Sequence, residues 1–380
     1  MTRVLHVLST LNIGSGIANF IMNYYRKIDR ENIAFDFLVF AYAENNFKNE
    51  IEELGGRIFV IPAPGAKTLF KYSRAVKNFF KEHKGEWDCV HIHEVLVQKF
   101  IIGNARRNGV KNVIMHSHAA KFVMHDSRRG KVSDFIYTSL KKARNAVLLS
   151  GFKRKTDKFL ACSKIAGLAL YGKKIVDGKD FFVINNALDA SSYDISEDER
   201  ARIRAEYGAE NKKVIIHVGR LCVEKNQTFL TEVFEKVHNA DDSYVLWLVG
   251  DGEYRTLIEN KINALNLGDS VRLFGNRTDV NKLLCSADLF VFPSLAEGLG
   301  LALVEAQAAG LECIKSSTVP EAAVLTPFVK SCALGDGAAY WAERILATDT
   351  VRHDNASYIK DGGYDLSENI AALQNIYTAK

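Results

Sequence analysis

Two carboxylates and two cations occupy segments that directly follow apolar runs typical of buried strands. Glu297 follows the run Leu289–Phe292, and Glu305 comes eight residues after it. Arg220 and Lys225 follow a second run of the same kind. Open parallel sheets bind ligands beyond the carboxyl ends of their strands. These four side chains are therefore candidates for contact with one polar ligand.

The loop that carries Arg220 and Lys225 places two cations five residues apart, just before a predicted helix. Two cations beside backbone N–H donors suit a diphosphate group, because both kinds of donor bind phosphate oxygens. Taken alone, the loop is also consistent with a solvated basic turn.

The segment from Glu297 to Glu305 is the most specific local signal in the chain. Its Gly-Leu-Gly-Leu stretch at 298–301 leads into a predicted helix, whose N-terminus attracts phosphate. Glu305 lies two turns along that helix, where a carboxylate can accept hydrogen bonds from ligand hydroxyls. Its neighbours are apolar, so a purely structural role would leave a costly buried charge.

A glycine-containing loop, with Gly14 and Gly16, separates the first predicted strand from its helix. Glycines in such a loop let backbone N–H groups approach a phosphate. The third glycine of a dinucleotide-binding fingerprint is missing, and a tight turn explains the spacing equally well.

Two His-x-His pairs, His91 with His93 and His116 with His118, each end a predicted strand. Strand alternation places both histidines of a pair on one face, an arrangement that could bind a metal. No Asp-x-Asp motif occurs and no carboxylate accompanies the second pair, so we predict no metal site. We predict that His118 contributes to a catalytic cleft, with satisfied core histidines as the alternative.

Short apolar runs rich in β-formers alternate with amphipathic helical stretches, which is typical of parallel α/β structure. The runs form two series separated by the polar stretch 185–213, so we predict two doubly wound Rossmann-like domains. The first series is Val4–Ser9, Ile33–Phe40, Gly56–Ile61, Cys89–Ile92, Asn112–His116, Phe159–Cys162 and Phe181–Ile184; the second is Lys213–Val218, Tyr244–Val249, Val271–Phe274, Leu289–Phe292 and Glu312–Ser316.

Composition excludes several classes of protein. The chain has 380 residues, of which 47% are hydrophobic and 25% charged, so disorder is excluded. No apolar run reaches the roughly 18 residues of a membrane span, and the N-terminus predicts a strand rather than a signal peptide. The six cysteines include no Cys-x-x-Cys pair. We therefore predict a cytoplasmic protein with reduced thiols.

Basic charge is concentrated in Lys121–Lys174, which carries a net charge of +11 while the rest of the chain carries −6. Apolar and aromatic residues are interleaved with these cations. A solvated helical face explains the pattern, and so does contact with an anionic membrane surface. Nucleic acid is not an expected partner, because the charge is local and no binding motif accompanies it.

In their order along the chain, these motifs resemble family 4 of the retaining glycosyltransferases, most closely the bacterial exopolysaccharide and capsule branch. The resemblance covers most of the chain and includes Met22–Asp29, His116–Ala119, Ala161–Ser163, Val183–Asn186, His217–Arg220, Lys225–Asn226, Val249–Gly252, Phe274–Arg277 and the Glu297/Glu305 pair. It implies the GT-B fold, in which two Rossmann-like domains face each other across a cleft. The domains would be 1–188, with a C-terminal helix of about 362–380 packing back on it, and 189–361.

The resemblance also implies roles for individual residues. Arg220 and Lys225 would neutralise the diphosphate of a nucleotide-sugar donor, Glu297 and His118 would contact the donor sugar, and Glu305 would bind the ribose. The other implied donor contacts are Gly16, Asn276, Arg277, Gly298, Leu299, Gly300 and Leu301. Members of this family generally need no metal cofactor.

One loop departs from the family pattern. The usual Gly-Gly-x-Glu is here Ser15-Gly16-Ile17-Ala18, so the carboxylate is absent and Gly14 compensates only in part for the first glycine. We carry over only Gly16 from this loop.

The expected activity is transfer of a hexose, with retained anomeric configuration, from a nucleotide diphosphate sugar. UDP is the expected nucleotide, and a glycan or lipid-linked acceptor of surface polysaccharide synthesis is the expected acceptor. A sugar-nucleotide epimerase or hydrolase of the same fold and a non-catalytic donor-binding scaffold are the alternatives. Because lipid-linked acceptors lie at a membrane, we expect the basic segment to bind the anionic inner leaflet through Arg128, Arg129, Lys141 and Lys142.

Overall fold

The computed structural model describes residues 1–41, 44, 46–63, 65, 68–94, 98–118 and 155–378. The chain divides into two compact units: an N-terminal unit of Met1–Ala187 with Ser367–Lys380, and a C-terminal unit of Leu188–Leu366. The predicted membrane-side residues Arg128, Arg129, Lys141 and Lys142 lie outside the described residues.

The C-terminal unit begins one residue earlier and ends five residues later than the boundaries drawn from the sequence. Backbone hydrogen bonds explain the difference. The N–H of Leu188 donates to the carbonyl of Tyr364 at 3.0 Å, and the N–H of Leu366 donates to the carbonyl of Leu188 at 3.2 Å. These bonds attach the stretch that precedes the last helix to the C-terminal unit.

The N-terminal unit is built on a seven-stranded parallel sheet with the order β3-β2-β1-β4-β5-β6-β7. Its strands are β1 Thr2–Val7, β2 Ile33–Val39, β3 Ile58–Val60, β4 Cys89–Ile92, β5 Asn112–Ser117, β6 Lys158–Ala161 and β7 Phe181–Val183. Its first helices are α1 Gly16–Lys27, α2 Lys48–Glu53, α3 Leu69–Glu82, α4 Gln98–Arg107, α5 Lys164–Tyr171 and α6 Lys173–Val176.

The C-terminal unit is built on a six-stranded parallel sheet with the order β10-β9-β8-β11-β12-β13. Its strands are β8 Lys213–Val218, β9 Tyr244–Val249, β10 Val271–Gly275, β11 Leu289–Phe292, β12 Glu312–Ser316 and β13 Val329–Cys332. Its helices are α7 Glu197–Glu206, α8 Gln227–Ala240, α9 Arg255–Ala264, α10 Val280–Ser286, α11 Leu301–Ala308, α12 Gly337–Leu346 and α13 Ala356–Asp361.

The last helix, α14 (Leu366–Thr378), returns to the N-terminal unit. Its Tyr377 is buried, and the hydroxyl lies 2.7 Å from Nδ1 of His91 on β4. Lys158 adds a second attachment, since its Nζ donates to the carbonyl of Ile376 at 3.0 Å.

Burial on both faces explains why the central strands are almost continuously apolar. All seven residues of β2 and all four of β11 are buried, as expected for parallel strands covered by helices on each side. The predicted pair of doubly wound α/β domains is confirmed. The sequence did not predict β13, in which Lys330 and Ser331 interrupt the apolar residues.

Strand order determines where each unit can bind a ligand. The order reverses between β1 and β4 in the first sheet and between β8 and β11 in the second. Loops that leave adjacent strands in opposite directions open a crevice at the carboxyl edge of such a sheet. The glycine loop that contains Gly16 follows β1, and the charged loops follow β8 and β11.

Two findings bear on the predicted compartment. Within the described part of the chain, no helix is both long and apolar enough to cross a bilayer. All six cysteines are buried, and their thiols are free.

Candidate functional site

The loops after β8 and β11 are bonded to each other. The first continues into a short 3-10 turn, Val223–Lys225, before α8. The N–H of Leu295 donates to the carbonyl of Glu224 at 2.7 Å, and Nδ2 of Asn226 donates to the carbonyl of Pro293 at 3.2 Å. These bonds hold the two loops side by side at the reversal point of the sheet.

Lys225 and Glu297 form an ion pair across these loops. Nζ of Lys225 donates to Oε1 of Glu297 at 2.6 Å, and the side chains are only 19% and 9% exposed. The same Nζ lies 4.8 Å from the ring centroid of Phe292, a distance at which the ring face attracts a cation. A partly desolvated ammonium beside a carboxylate can contact a phosphate and a sugar hydroxyl at neighbouring positions.

A second layer of buried groups supports the Arg220 backbone. Nε2 of Gln227 donates to the Arg220 carbonyl at 2.9 Å and lies 3.2 Å from Nε2 of His217. Burial lowers the pKa of His217 to about 4, so its ring is neutral and Nδ1–H donates to the Val291 carbonyl at 2.9 Å. Arg220 itself has an exposed side chain. The backbone of this loop is therefore anchored, while the Arg220 guanidinium faces solvent.

Two glycines meet backbone requirements at this site. Gly250, at φ +130°, follows β9, and a Cβ there would lie 2.1 Å from the Gly219 carbonyl oxygen. Gly300, at φ +92°, immediately precedes α11 and is buried. A side chain at Gly250 would displace the backbone of the loop that holds Lys225, and one at Gly300 would strain the left-handed backbone of the loop that holds Glu297.

The segment 298–301 connects Glu297 to α11. Gly298 is exposed, Leu299 and Leu301 are partly buried, and Leu301 is the first residue of the helix. The start of this loop is fixed by Ser316 and Thr318, whose hydroxyls donate to the Ser294 carbonyl at 2.6 and 2.5 Å.

Glu305 lies on α11 and is largely enclosed. Burial raises the pKa of Glu305 to about 7, while the positive charge of Lys225 opposes the shift. The carboxyl group therefore changes charge near neutral pH, and a hydrogen-bonding ligand that stabilises the carboxylate would lower its pKa.

Glu305→Gln is expected to be more stable than the wild-type protein at pH 8. The unfolded chain releases this proton near the ordinary pKa of 4.5, whereas the folded protein keeps it until about pH 7. Wild-type stability therefore falls as the pH rises through this window, by roughly 3 kcal/mol in total. Unfolding midpoints at pH 5 and pH 8 measure the effect, and the advantage of the variant should grow between them.

A glutamine at the exposed Glu343 of α12 provides the matched control, because an exposed carboxylate gains nothing from neutralisation. If the difference in unfolding midpoint between the wild type and Glu305→Gln were the same at pH 5 and pH 8, the enclosed placement of Glu305 would be wrong.

The structure does not bring Arg277 to the Lys225–Glu297 pair. Asn276 and Arg277 follow β10, two strands away from β8, and Asn276 is exposed. The Arg277 guanidinium donates to both carboxylate oxygens of Asp279, at 2.8 and 2.7 Å.

In the N-terminal unit, Gly16 is the exposed first residue of α1. A Cβ at Gly16 would meet no atom within 4 Å, so the backbone here is open to a ligand. Ser15 caps the helix by accepting a hydrogen bond from the N–H of Ala18 at 3.4 Å. Ala18, at the position of the family carboxylate, is fully buried.

His118 directly follows β5 and belongs to a cluster that sequence reasoning recognised only in part. Its Nε2 lies 2.7 Å from Nδ1 of His93. The member that was missed is His6 on β1, which the sheet register places opposite His91 of β4. The sequence signal that could have found it was a histidine inside the first predicted strand, in a chain that also has two His-x-His pairs. Two triads, His6/His91/His93 and His93/His116/His118, have ring nitrogens within 4.8 Å of one another, a spacing that could hold a metal.

Comparison with known proteins identifies the family. The family model "Glycosyl transferases group 1" matches residues 199–339, which contain Arg220, Lys225, Glu297 and Glu305. EpsF of Bacillus subtilis (strain 168), named as a glycosyltransferase, is 32% identical over 99% of this chain and 96% of its own. This chain belongs to the group 1 glycosyltransferases. The predicted family and enzyme class are confirmed.

Two further likenesses extend the comparison of this glycosyltransferase. An Escherichia coli enzyme named UDP-Gal:alpha-D-GlcNAc-diphosphoundecaprenol alpha-1,3-galactosyltransferase is 30% identical over 66% of this chain and 63% of its own. The crystal structure of Anabaena HepE in complex with UDP and glucose superposes with a TM-score of 0.74 at 18% identity, covering 100% of both chains. The second likeness supports the fold alone.

Proposed function

We propose that this glycosyltransferase moves a hexose, with retention of anomeric configuration, from a UDP-sugar to a glycan or lipid-linked acceptor in surface polysaccharide synthesis. The observation that carries the proposal is the partly desolvated Lys225–Glu297 ion pair at the reversal point of the C-terminal sheet. The name of the Escherichia coli relative, which pairs a UDP-sugar with a diphospholipid acceptor, supports both substrate classes.

In this mechanism, Arg220 and Lys225 bind the diphosphate of the donor. The bond between the anomeric carbon and the diphosphate oxygen breaks while the oxygen of an acceptor hydroxyl bonds to the same face of that carbon. The hydroxyl proton leaves with the diphosphate, whose developing negative charge is stabilised by the two cations. The buried supports of this loop hold the Arg220 backbone, and the ion pair with Glu297 holds the Lys225 ammonium, which limits the reorganisation that accompanies the reaction. We propose that these cations do the electrostatic work and that no metal cofactor is needed.

The sugar and nucleoside contacts are assigned to the remaining residues. Glu297 accepts hydrogen bonds from sugar hydroxyls while holding Lys225, and Glu305 accepts from the ribose. The backbone of 298–301 contributes N–H donors at the start of α11. His118 contacts the sugar and Gly16 approaches the phosphates. Asn276 and Arg277 flank the base, with Arg277 oriented by Asp279.

Incubation with a panel of UDP-, GDP- and ADP-sugars, followed by mass detection, tests this function. Free UDP together with an extended acceptor is the expected result. A free sugar without acceptor extension would indicate a hydrolase, and an altered donor would indicate an epimerase. Binding without turnover for every donor and acceptor offered would indicate a scaffold.

We further propose that the N-terminal unit binds an anionic membrane surface, where a lipid-linked acceptor would lie. The basic segment Lys121–Lys174 supports this proposal through its net charge of +11. Helix α3 supports it independently. Phe70, in its first turn, is 82% exposed. The cations exposed on the same helix are Lys71, Arg74, Lys77 and Lys81.

Binding to phosphatidylglycerol vesicles is expected to be substantial at low salt and to fall sharply as the ionic strength rises. Each cation near an anionic surface contributes about 1 kcal/mol, and salt screens the attraction. The variant for this test replaces four cations with glutamate: Arg128, Arg129, Lys141 and Lys142. It should no longer sediment with the vesicles, and its binding of UDP-sugar should be unchanged.

The matched control reverses four exposed cations of the C-terminal unit and should retain vesicle binding: Arg202, Lys236, Arg344 and Lys360. Equal sedimentation with neutral and anionic vesicles, or none at low salt, would reject the membrane proposal.

A further inference from the structure

Five histidines meet at the reversal point of the N-terminal sheet, on three adjacent strands or the residues that directly follow them. His6 lies on β1, His91 and His93 lie at the end of β4, and His116 and His118 lie at the end of β5. The first four are buried and His118 is partly buried. The glycosyltransferase mechanism above uses only His118, so the role of the others is open.

A hydrogen-bonded chain joins three of them in series. Nδ1 of His6 lies 3.1 Å from Nε2 of His93, and Nδ1 of His93 lies 2.7 Å from Nε2 of His118. Burial lowers the pKa of His6 and of His118 to about 3 and that of His93 well below its ordinary value. All three rings are therefore neutral at physiological pH, and each carries one N–H.

Only two proton arrangements satisfy both hydrogen bonds, because a neutral imidazole has one donor and one acceptor nitrogen. In the first, every Nδ1 carries the proton, so that His6 donates to His93 and His93 donates to His118. In the second, every Nε2 carries the proton and both bonds run in the opposite direction.

The inner end of the chain distinguishes the two arrangements. Nε2 of His6 is buried and has no hydrogen-bond partner among the residues that the structure describes. The second arrangement would place an unpartnered N–H donor there, and buried donors of this kind are rare. The first leaves a bare nitrogen at this position and puts the last N–H of the chain on Nδ1 of His118.

We propose that His6 and His93 are positioning residues that hold His118 in its Nδ1–H tautomer, so that His118 donates a hydrogen bond to an oxygen of the donor sugar. The assignment of that oxygen to a sugar rests on the proposed function; the tautomer does not. Without the chain, His118 could present either a donor or an acceptor to the ligand.

The tautomer can be measured directly on the whole protein labelled with 15N-histidine. Two-bond 1H–15N spectra separate protonated from bare ring nitrogens, and a His118→Ala variant assigns the His118 signals. We expect a protonated Nδ1 on His118 in the wild type and a mixture of tautomers in His93→Leu. A protonated Nε2 in the wild type would overturn the proposal.

A nearly isosteric pair of variants separates positioning from packing. His93→Asn keeps an N–H donor near the Nδ1 position, whereas His93→Leu removes it. Loss of one hydrogen bond predicts a decrease of about 2- to 10-fold in kcat/KM for His93→Leu, and His93→Asn should recover most of this loss. Equal activity of the two variants would contradict the positioning role. His6→Asn and His6→Leu repeat the comparison if a His93 variant fails to fold.

Two further outcomes are informative. Absence of transfer from every UDP-sugar, with the expected tautomer present, would reject the proposed function but would still support the hydrogen-bonded chain of histidines. Titration with Zn²⁺ tests the competing role for the same nitrogens. Stoichiometric zinc binding that His93→Asn abolishes would overturn the positioning role of His93, because zinc on its ring would replace the hydrogen bond from Nδ1 of His93 to Nε2 of His118.

Discussion

Replacing Arg220 or Lys225 with alanine is expected to lower kcat/KM for the sugar-nucleotide donor by about 10- to 150-fold. Each charge-assisted hydrogen bond to the diphosphate contributes roughly 1.5–3 kcal/mol, and the contribution grows as charge develops on the leaving group. Lys225→Ala should have the larger effect. It also leaves Glu297, whose side chain is 9% exposed, without its cation. Steady-state kinetics with saturating acceptor measure both losses.

Two exposed cations of the same unit serve as controls: Arg202→Ala and Lys236→Ala should leave the kinetics unchanged. Activity of the wild type and the relative losses in Arg220→Ala and Lys225→Ala should persist in excess EDTA. If EDTA abolished wild-type activity and Mn²⁺ restored it, the metal-free mechanism would be wrong.

Glu297→Ala is expected to reduce kcat strongly, with a smaller change in the donor KM. If Glu297 orients the sugar hydroxyls chiefly in the transition state, its removal lowers kcat more than it changes the donor KM. Glu305→Ala should instead raise the donor KM more than it lowers kcat, because the ribose is bound in the ground and transition states alike. Wild-type kinetics for both variants would refute the placement of the Glu297–Glu305 segment.

The ion pair makes a further requirement on these variants. Lys225 and Glu297 share a hydrogen bond of 2.6 Å, so the effects of Lys225→Met and Glu297→Gln on the free energy of unfolding should not be additive. Pairs in direct contact have interaction energies of about 0.5–3 kcal/mol in double-mutant cycles. The cycle of Glu297→Gln with Lys236→Met offers the comparison, since Lys236 is exposed on α8 and forms no ion pair with Glu297 among the described residues. Full additivity of the Lys225–Glu297 cycle would contradict the paired state in the free enzyme.

The sequence alone determined the architecture and the local chemistry of the loops. Runs such as Tyr244–Val249 and Leu289–Phe292 became strands at the predicted residues, because a parallel strand covered on both faces requires a continuous apolar run. Polar residues directly after such runs must lie at the carboxyl edge of the sheet. Arg220, Lys225 and Glu297 could therefore be recognised as ligand-binding candidates from local pattern alone.

Tertiary structure decided which of these residues meet. Lys225 and Glu297 are 72 positions apart, and they pair because β11 lies beside β8 and not beside β10, the strand that precedes β11 in the chain. His6 joins His93 for the same reason, since β1 lies beside β4. Local periodicity reports burial but carries no information on strand order, which depends on how crossover helices pack over the whole sheet. Strand order therefore determined the ion pair and the histidine chain, and neither could be derived from the spacing of residues.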